Sequence, residues 1–169
     1  KYTPNDVKLK EKQNEKAASN TTVPGNGNTP KLISPNKGEQ LAIPDKYKNN
    51  PVTASVASGV IQEAKRKGVD TNLALMIADS ESNMGLKLSN PKSSAKGIYQ
   101  IIDDTKAEIE KDLGRKINLS NNKDSIEAGI HYIKKVSDDF QKAYGRKPKS
   151  LEVKGMYMLV PCGYKTLLN

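Results

Sequence analysis

The sequence predicts a mainly helical domain over residues 51–169, preceded by an extended polar arm over residues 1–50. After Pro51, apolar residues recur at intervals of three and four, and glycines follow the recurring segments, as expected where helices end. No convincing alternation of apolar and polar residues indicates a β-strand. Pro51 also marks a change of composition, because the preceding residues are rich in lysine and in turn-forming residues.

The first fifty residues carry 9 lysines and 5 acids, and residues 19–30 (SNTTVPGNGNTP) form a turn-rich stretch that cannot bury much apolar surface. Small apolar islands occur at residues 32–33 and 41–43. Two interpretations stay open: a flexible tether, or an extended arm that docks on a partner protein through the islands. Because the chain begins at Lys1 with no visible secretory signal, we expect it to be a piece of a longer protein.

Five helices are predicted after Pro51. Val56, Val60, Ile61 and Ala64 share one face of the first, which Gly68 ends. Asp70 or Thr71 caps the second, whose run at 73–77 is apolar nearly all round and predicts the buried central helix. Residues 105–108 (TKAE) fit a capping box for a third helix that closes near Gly114. The longest helix begins at residues 121–124, and its inward face is predicted to carry Ile126, Ile130, Ile133 and Phe140. The last helix runs from about Ser150 through Leu159.

The bulk composition limits the chemistry available. The net charge of +9 is spread along the chain, which suits an anionic neighbourhood such as a cell envelope or nucleic acid without choosing between them. Cys162 is the sole cysteine and His131 the sole histidine, so we expect no internal disulfide, no metal site and no cofactor. No apolar run approaches the roughly 18–20 residues that span a membrane.

Glu81 is the candidate catalytic residue. It follows the apolar run of the second helix near the helix end, where burial and the helix dipole both disfavour its charged form. A carboxyl group kept protonated in this way can protonate the leaving oxygen of a glycosidic bond. Asp79 lies on a different side of the helix and is not expected to share the cleft. The plain alternative for Glu81 is a solvated residue at a helix end.

Several short motifs, in order, resemble the lysozyme-like soluble lytic transglycosylase (SLT) domain. Glu81-Ser82 is similar to the Glu-Ser pair of that family, and residues 93–101 (SSAKGIYQI) are similar to its Gly-Leu-Met-Gln segment. Residues 124–133 (DSIEAGIHYI) resemble its Asn-Ile-x-x-Gly-x-x-Tyr-Leu helix. The likeness covers residues 52–169 and implies a lysozyme-like helical fold.

The resemblance also implies a reaction on peptidoglycan glycan strands. Glu81 would protonate the glycosidic oxygen between N-acetylmuramic acid and N-acetylglucosamine, then act as base on the muramic C6 hydroxyl to close a 1,6-anhydro ring. The substrate-binding residues implied are Ser82, Gly97, Ile98, Tyr99, Gln100 and Tyr157. For Gln100, an amide that only stabilises the loop is the alternative.

The segment 156–163 (MYMLVPCG) departs from the family pattern. Met158 stands where the family has an amide or imidazole, and Val160 and Cys162 replace glycines. Added side chains there are expected to narrow the cleft, which puts efficient catalysis in question but not the fold. Cys162 is expected to be a packing residue rather than a nucleophile.

Three functional hypotheses follow. The first is a lytic transglycosylase in a phage virion, delivered to the host cell envelope and periplasm to open the wall locally during DNA ejection, its arm contacting other virion or assembly proteins. A secreted or periplasmic bacterial enzyme is the alternative setting. The second is a structural virion component with the same fold and little activity. The third, a nucleic-acid-binding module, has the least support, because the charge is diffuse and no aromatic platform accompanies it.

Overall fold

A computed structural model describes residues 42–159 of the chain. Its six helices are α1 (Asp45–Lys48), α2 (Pro51–Lys67), α3 (Thr71–Ser82), α4 (Asp103–Leu113), α5 (Asn122–Tyr144) and α6 (Ser150–Met158). Within the described range there is no named strand, and two isolated antiparallel bridges, Ser89 with Lys96 and Lys96 with Ile101, are present. The predicted mainly helical fold is confirmed. No described helix is both long enough and apolar enough to cross a membrane.

The core lies where α2, α3 and α5 meet. α3 is buried over most of its circumference, as predicted from the apolar residues on nearly all its sides. All the apolar residues predicted to face inward from α5 are buried. α2 packs along both helices, and α4 and α6 flank α5. The buried side chains of α2, α3 and α5 include Val56, Val60, Ile61, Ala64, Leu73, Leu75, Ile77, Ile126, Ile130, Ile133 and Phe140.

Helix ends follow the capping signals with one exception. Of the two candidate N-caps of α3, the structure uses Asp70. Its carboxylate accepts a hydrogen bond of 2.7 Å from the Leu73 backbone N–H. The predicted capping box at residues 105–108 is wrong, since the N-cap of α4 is Ile102, three residues before Thr105, and no side chain caps the helix. Asp103 and Asp104 place negative charge at the first turn instead, and Thr105 is buried inside the helix.

The last residues of the segment predicted as an arm belong to the folded unit. α1 lies within it, and Tyr47 is buried in the core, with its backbone carbonyl accepting from the Thr53 hydroxyl at 2.8 Å. Ile43 also packs against the core. Residues 1–41 and 160–169 are outside the described range, so the arm's docking islands at 32–33, and Val160 and Cys162, are not placed.

Candidate active site

Glu81 lies in the last turn of α3, and a sharp reversal of the chain follows it. Asn83, Met84 and Gly85 all have left-handed backbone conformations, with φ of 50°, 52° and 88°. The Ser82 hydroxyl stabilises this reversal, because it donates to the Ala78 carbonyl at 3.1 Å and accepts from the Gly85 N–H at 2.9 Å. Ser82 is almost completely buried. Its side chain therefore points into the fold and fixes the turn after Glu81.

The chain after the reversal folds back as a short hairpin. Lys96 and Ile101 exchange two backbone hydrogen bonds of 3.1 and 3.0 Å, and residues 97–100 (GIYQ) form its turn. Gly97 has a φ of 81° and lies so close to α5 that a Cβ would overlap the Ser125 hydroxyl. That hydroxyl also accepts from the Ile98 N–H at 2.8 Å. Glycine is thus required at position 97 by close approach to α5 rather than by contact with a sugar.

Tyr99 connects the hairpin to α3, α5 and α6. Its ring is fully buried and lies directly over Gly129 of α5, where a Cβ would overlap it. Its hydroxyl donates to the Ala74 carbonyl of α3 at 3.0 Å, and its own carbonyl accepts from the Tyr157 hydroxyl of α6 at 2.8 Å. The Tyr157 ring also meets Tyr132 edge-to-face, with centroids 5.8 Å apart.

A pocket of about 450 Å³ opens between the end of α3, the hairpin and α6. It is lined by Glu81, Asn90, Ser93, Ala95, Gln100, Ile101, Ile102, Thr105, Tyr132, Tyr157 and Met158. Of the residues predicted from the sequence, the structure brings Glu81, Gln100 and Tyr157 together here. Ser82, Gly97, Ile98 and Tyr99 are buried behind the wall and do not line it. Met158 stands at the rim with 60% of its surface exposed.

Other lining residues had no assignment from the sequence. Four of them lie within the two segments that resemble family motifs: Ser93, Ala95 and Ile101 in residues 93–101, and Tyr132 in residues 124–133. The sequence resemblance could therefore have pointed to them as pocket residues. No sequence pattern indicated a site at Asn90 or Thr105. Asn90 lies in an irregular loop, and Thr105 was interpreted as a helix cap.

The electrostatics of the pocket centre on Glu81. Burial raises the pKa of its carboxyl group, and the charge of Lys154 on α6 opposes that rise. Among residues 42–159 no group donates a hydrogen bond to this carboxylate, and no other carboxylate lines the pocket. The same part of the chain contains no group of three or more His, Cys, Asp or Glu side chains that could hold a metal ion.

The Gln100 side chain stabilises the hairpin with its amide nitrogen and lines the pocket. Its Nε2 donates to the Gly97 carbonyl at 2.8 Å and to the Lys87 carbonyl at 3.4 Å, so the amide nitrogen stabilises the hairpin. Its Oε1 accepts no hydrogen bond from the described residues and is available as an acceptor. The Tyr157 hydroxyl, by contrast, already uses its proton on the Tyr99 carbonyl.

Asp79 lies away from this pocket, on another face of α3 as expected. Its carboxylate accepts from Lys46 Nζ and from the Tyr47 hydroxyl, both at 2.8 Å. Burial alone would raise its pKa, but these two hydrogen bonds outweigh burial and lower it. Asp79 is therefore an ionised structural partner of α1.

Comparison with known families agrees with the geometry. The model of the transglycosylase SLT domain matches residues 58–153, a range that runs from α2 into α6 and contains the whole hairpin. No curated protein matches this chain. Members of the matched family are generally lytic transglycosylases that bind peptidoglycan. The chain belongs to the transglycosylase SLT domain family.

Proposed function

We propose that this protein cleaves peptidoglycan glycan strands as a lytic transglycosylase, with Glu81 as its single general acid and base. One observation carries the proposal. Glu81 is the only carboxylate among the described residues that line the pocket, and burial raises its pKa. A protonated carboxyl group at neutral pH is what the departure of the glycosidic oxygen requires.

The reaction can proceed in two proton transfers through the same side chain. Glu81 donates its proton to the oxygen between N-acetylmuramic acid and N-acetylglucosamine, and the bond from that oxygen to C1 breaks through an oxocarbenium-like state. The Glu81 carboxylate then takes the proton of the muramic C6 hydroxyl as that oxygen bonds to C1. The products are a 1,6-anhydro sugar and a shortened strand, and no water is consumed. A second carboxylate, needed by hydrolases that activate water or form a covalent intermediate, is not required.

The remaining pocket residues suit a sugar. Gln100 Oε1 is placed to accept from an acetamido N–H, and Asn90 and Ser93 add polar groups on the same wall. Ile102 and Tyr132 supply apolar surface against which the face of a sugar ring can pack. Tyr157 acts indirectly, since its hydroxyl stabilises the hairpin that carries Gln100.

The test is digestion of purified sacculi with wild type and Glu81→Gln, with released muropeptides identified by mass spectrometry. Glu63→Gln, which removes a charge from a surface pair with Arg66 on α2, is the matched control. Anhydro-muramyl products from the wild type and control, absent with Glu81→Gln, are expected. Products that carry an added water would instead identify a hydrolase, and no release by folded wild type would refute the proposal.

We place this activity in a phage virion that opens the host wall during DNA ejection. The support is the lysine-rich, turn-rich sequence of residues 1–50 joined to a wall-cleaving family domain, a composition suited to contact with neighbouring assembly proteins. Mass spectrometry of purified particles should detect the chain. Recovery only from the periplasm or medium of uninfected cells would favour a bacterial wall-remodelling enzyme.

The specific observation that favours the structural alternative is Met158. Its largely exposed side chain lies at the rim of the pocket, in a position where the family resemblance implies a polar group. Glycan binding by the wild type without turnover would support a structural component with this fold.

A further inference from the structure

A second cavity, of about 550 Å³, lies between α1, α3 and α6. It is lined by Pro44, Lys46, Tyr47, Asn72, Leu75, Met76, Asp79, Ser80 and Lys154. Its lining is mixed, because Leu75 and Met76 supply apolar area and Lys46 and Lys154 supply positive charge. None of these residues lines the pocket that contains Glu81.

The charges of this cavity do not balance. Asp79 is neutralised by Lys46 at 2.8 Å, with a further hydrogen bond from Tyr47. Lys154 is partly buried and forms no hydrogen bond or ion pair with any residue from 42 to 159. Its charge opposes the effect of burial on the pKa of Glu81, but the two side chains form no ion pair. A partly buried lysine without a counter-ion favours an anionic ligand.

The cavity and the active-site pocket are neighbours. Ser80 and Glu81 are consecutive residues of α3 and line different cavities, and Lys154 and Met158 do the same one turn apart on α6. The muramic sugar at the scissile bond carries a peptide with free carboxylates. This peptide is attached to the sugar beside the bond that Glu81 would cleave. A ligand group extending from the pocket past Glu81 would therefore reach Lys154.

We propose that the second cavity binds the carboxylate-bearing peptide of the glycan strand, with Lys154 as its cation and Leu75 and Met76 as its apolar floor. This inference rests on the proposed function and adds a substrate requirement to it. The protein would then prefer peptide-substituted strands to bare glycan.

The experiment compares two substrates that differ only in the peptide. Glycan strands that retain their peptides, and the same strands stripped by an amidase, are digested with wild type, Lys154→Met and Lys154→Arg. Lys111→Met, at an exposed site on α4 outside both cavities, is the matched control. For Lys154→Met we expect kcat/KM to fall about fivefold more on peptide-bearing strands than on stripped strands, because any effect of Lys154 on the pKa of Glu81 changes the rate on both substrates alike. Lys154→Arg should restore most of the rate.

The outcomes separate the two proposals. An equal loss on both substrates would mean that Lys154 acts only through the charge of Glu81, and would overturn the peptide site, as would no loss on either. If wild type cleaves neither substrate, the proposed function fails. Binding of the amidase-released peptide to wild type, monitored by NMR, then decides the inference: shifts in the second cavity that disappear with Lys154→Met support it, and their absence refutes it.

Discussion

Replacing Ser82 by alanine distinguishes a substrate-binding residue from one that stabilises the turn. The Ser82 hydroxyl accepts from the Gly85 N–H at 2.9 Å inside the protein, and alanine leaves that donor without a partner. The Ala78 carbonyl is less affected, because it also accepts from the backbone N–H groups of Asn83 and Met84. A buried unpaired N–H costs about 1–3 kcal/mol. We therefore expect the free energy of unfolding to fall by that amount.

Urea unfolding followed by circular dichroism measures this loss, with the m-value unchanged. In a thermal scan the midpoint should drop by roughly 4 °C per kcal/mol. Because the turn orients Glu81, kcat on sacculi should fall by up to about 100-fold while KM changes little.

Ser137→Ala is the matched control. The Ser137 hydroxyl donates to the Ile133 carbonyl at 2.8 Å within α5, and that carbonyl keeps its helical hydrogen bond when the hydroxyl is removed. Stability should then change by less than about 0.5 kcal/mol. If Ser82→Ala raises KM and leaves stability unchanged, Ser82 contacts substrate and the reasoning from its burial is wrong.

The remaining predictions concern Gly129, Glu81 and Met158. Gly129→Ala should lower the unfolding free energy by about 1–3 kcal/mol in urea titrations, because its methyl group would overlap the Tyr99 ring, whereas Gly155→Ala, with open space around it, should raise it by about 0.5–1 kcal/mol. The raised pKa of Glu81 means that its ionisation opposes folding as pH rises above the unfolded value, so Glu81→Gln should be more stable than wild type at pH 7, and the difference should vanish once pH falls below the unfolded pKa. The same pKa predicts that turnover declines as pH rises through it; a rate that keeps rising would contradict an acid role for this residue. Met158→Asn should increase muropeptide release without altering the thermal midpoint, since Met158 is 60% exposed; an unchanged or lower release would show that the thioether does not hinder the substrate.

The helices were predictable because their signals are local. Apolar spacing located α2, α3 and α5, and the caps Asp70 and Asn121 are short polar side chains a few residues before the first buried apolar residue of their helices. The start of α4 was missed since its first turn uses the charges of Asp103 and Asp104 rather than a side-chain cap.

The walls of the pocket were not predictable in the same way. The reversal after Glu81 and the hairpin each depend on a left-handed conformation at a residue that rarely adopts it, Met84 in the reversal and Gln100 in the hairpin turn. Tertiary contacts rather than local preference stabilise these conformations. A sequence motif also does not indicate which way a side chain points. Ser82 and Tyr99 fall inside the family motifs, yet the structure buries both, and Asn90 lines the pocket without belonging to any motif.

The hydrogen bonds of Tyr99 have a consequence for how the protein is made. They join positions 25 and 58 residues apart in the chain, and the second reaches α6, near the end of the described residues. Contacts at such separations form late in folding, because the intervening loop must close first. A chain still emerging from the ribosome without α6 lacks one of the hydrogen bonds that anchor the hairpin, the one from the Tyr157 hydroxyl. Completion of the pocket therefore depends on synthesis of α6, because a chain without α6 lacks the part of the pocket lining that Tyr157 and Met158 supply.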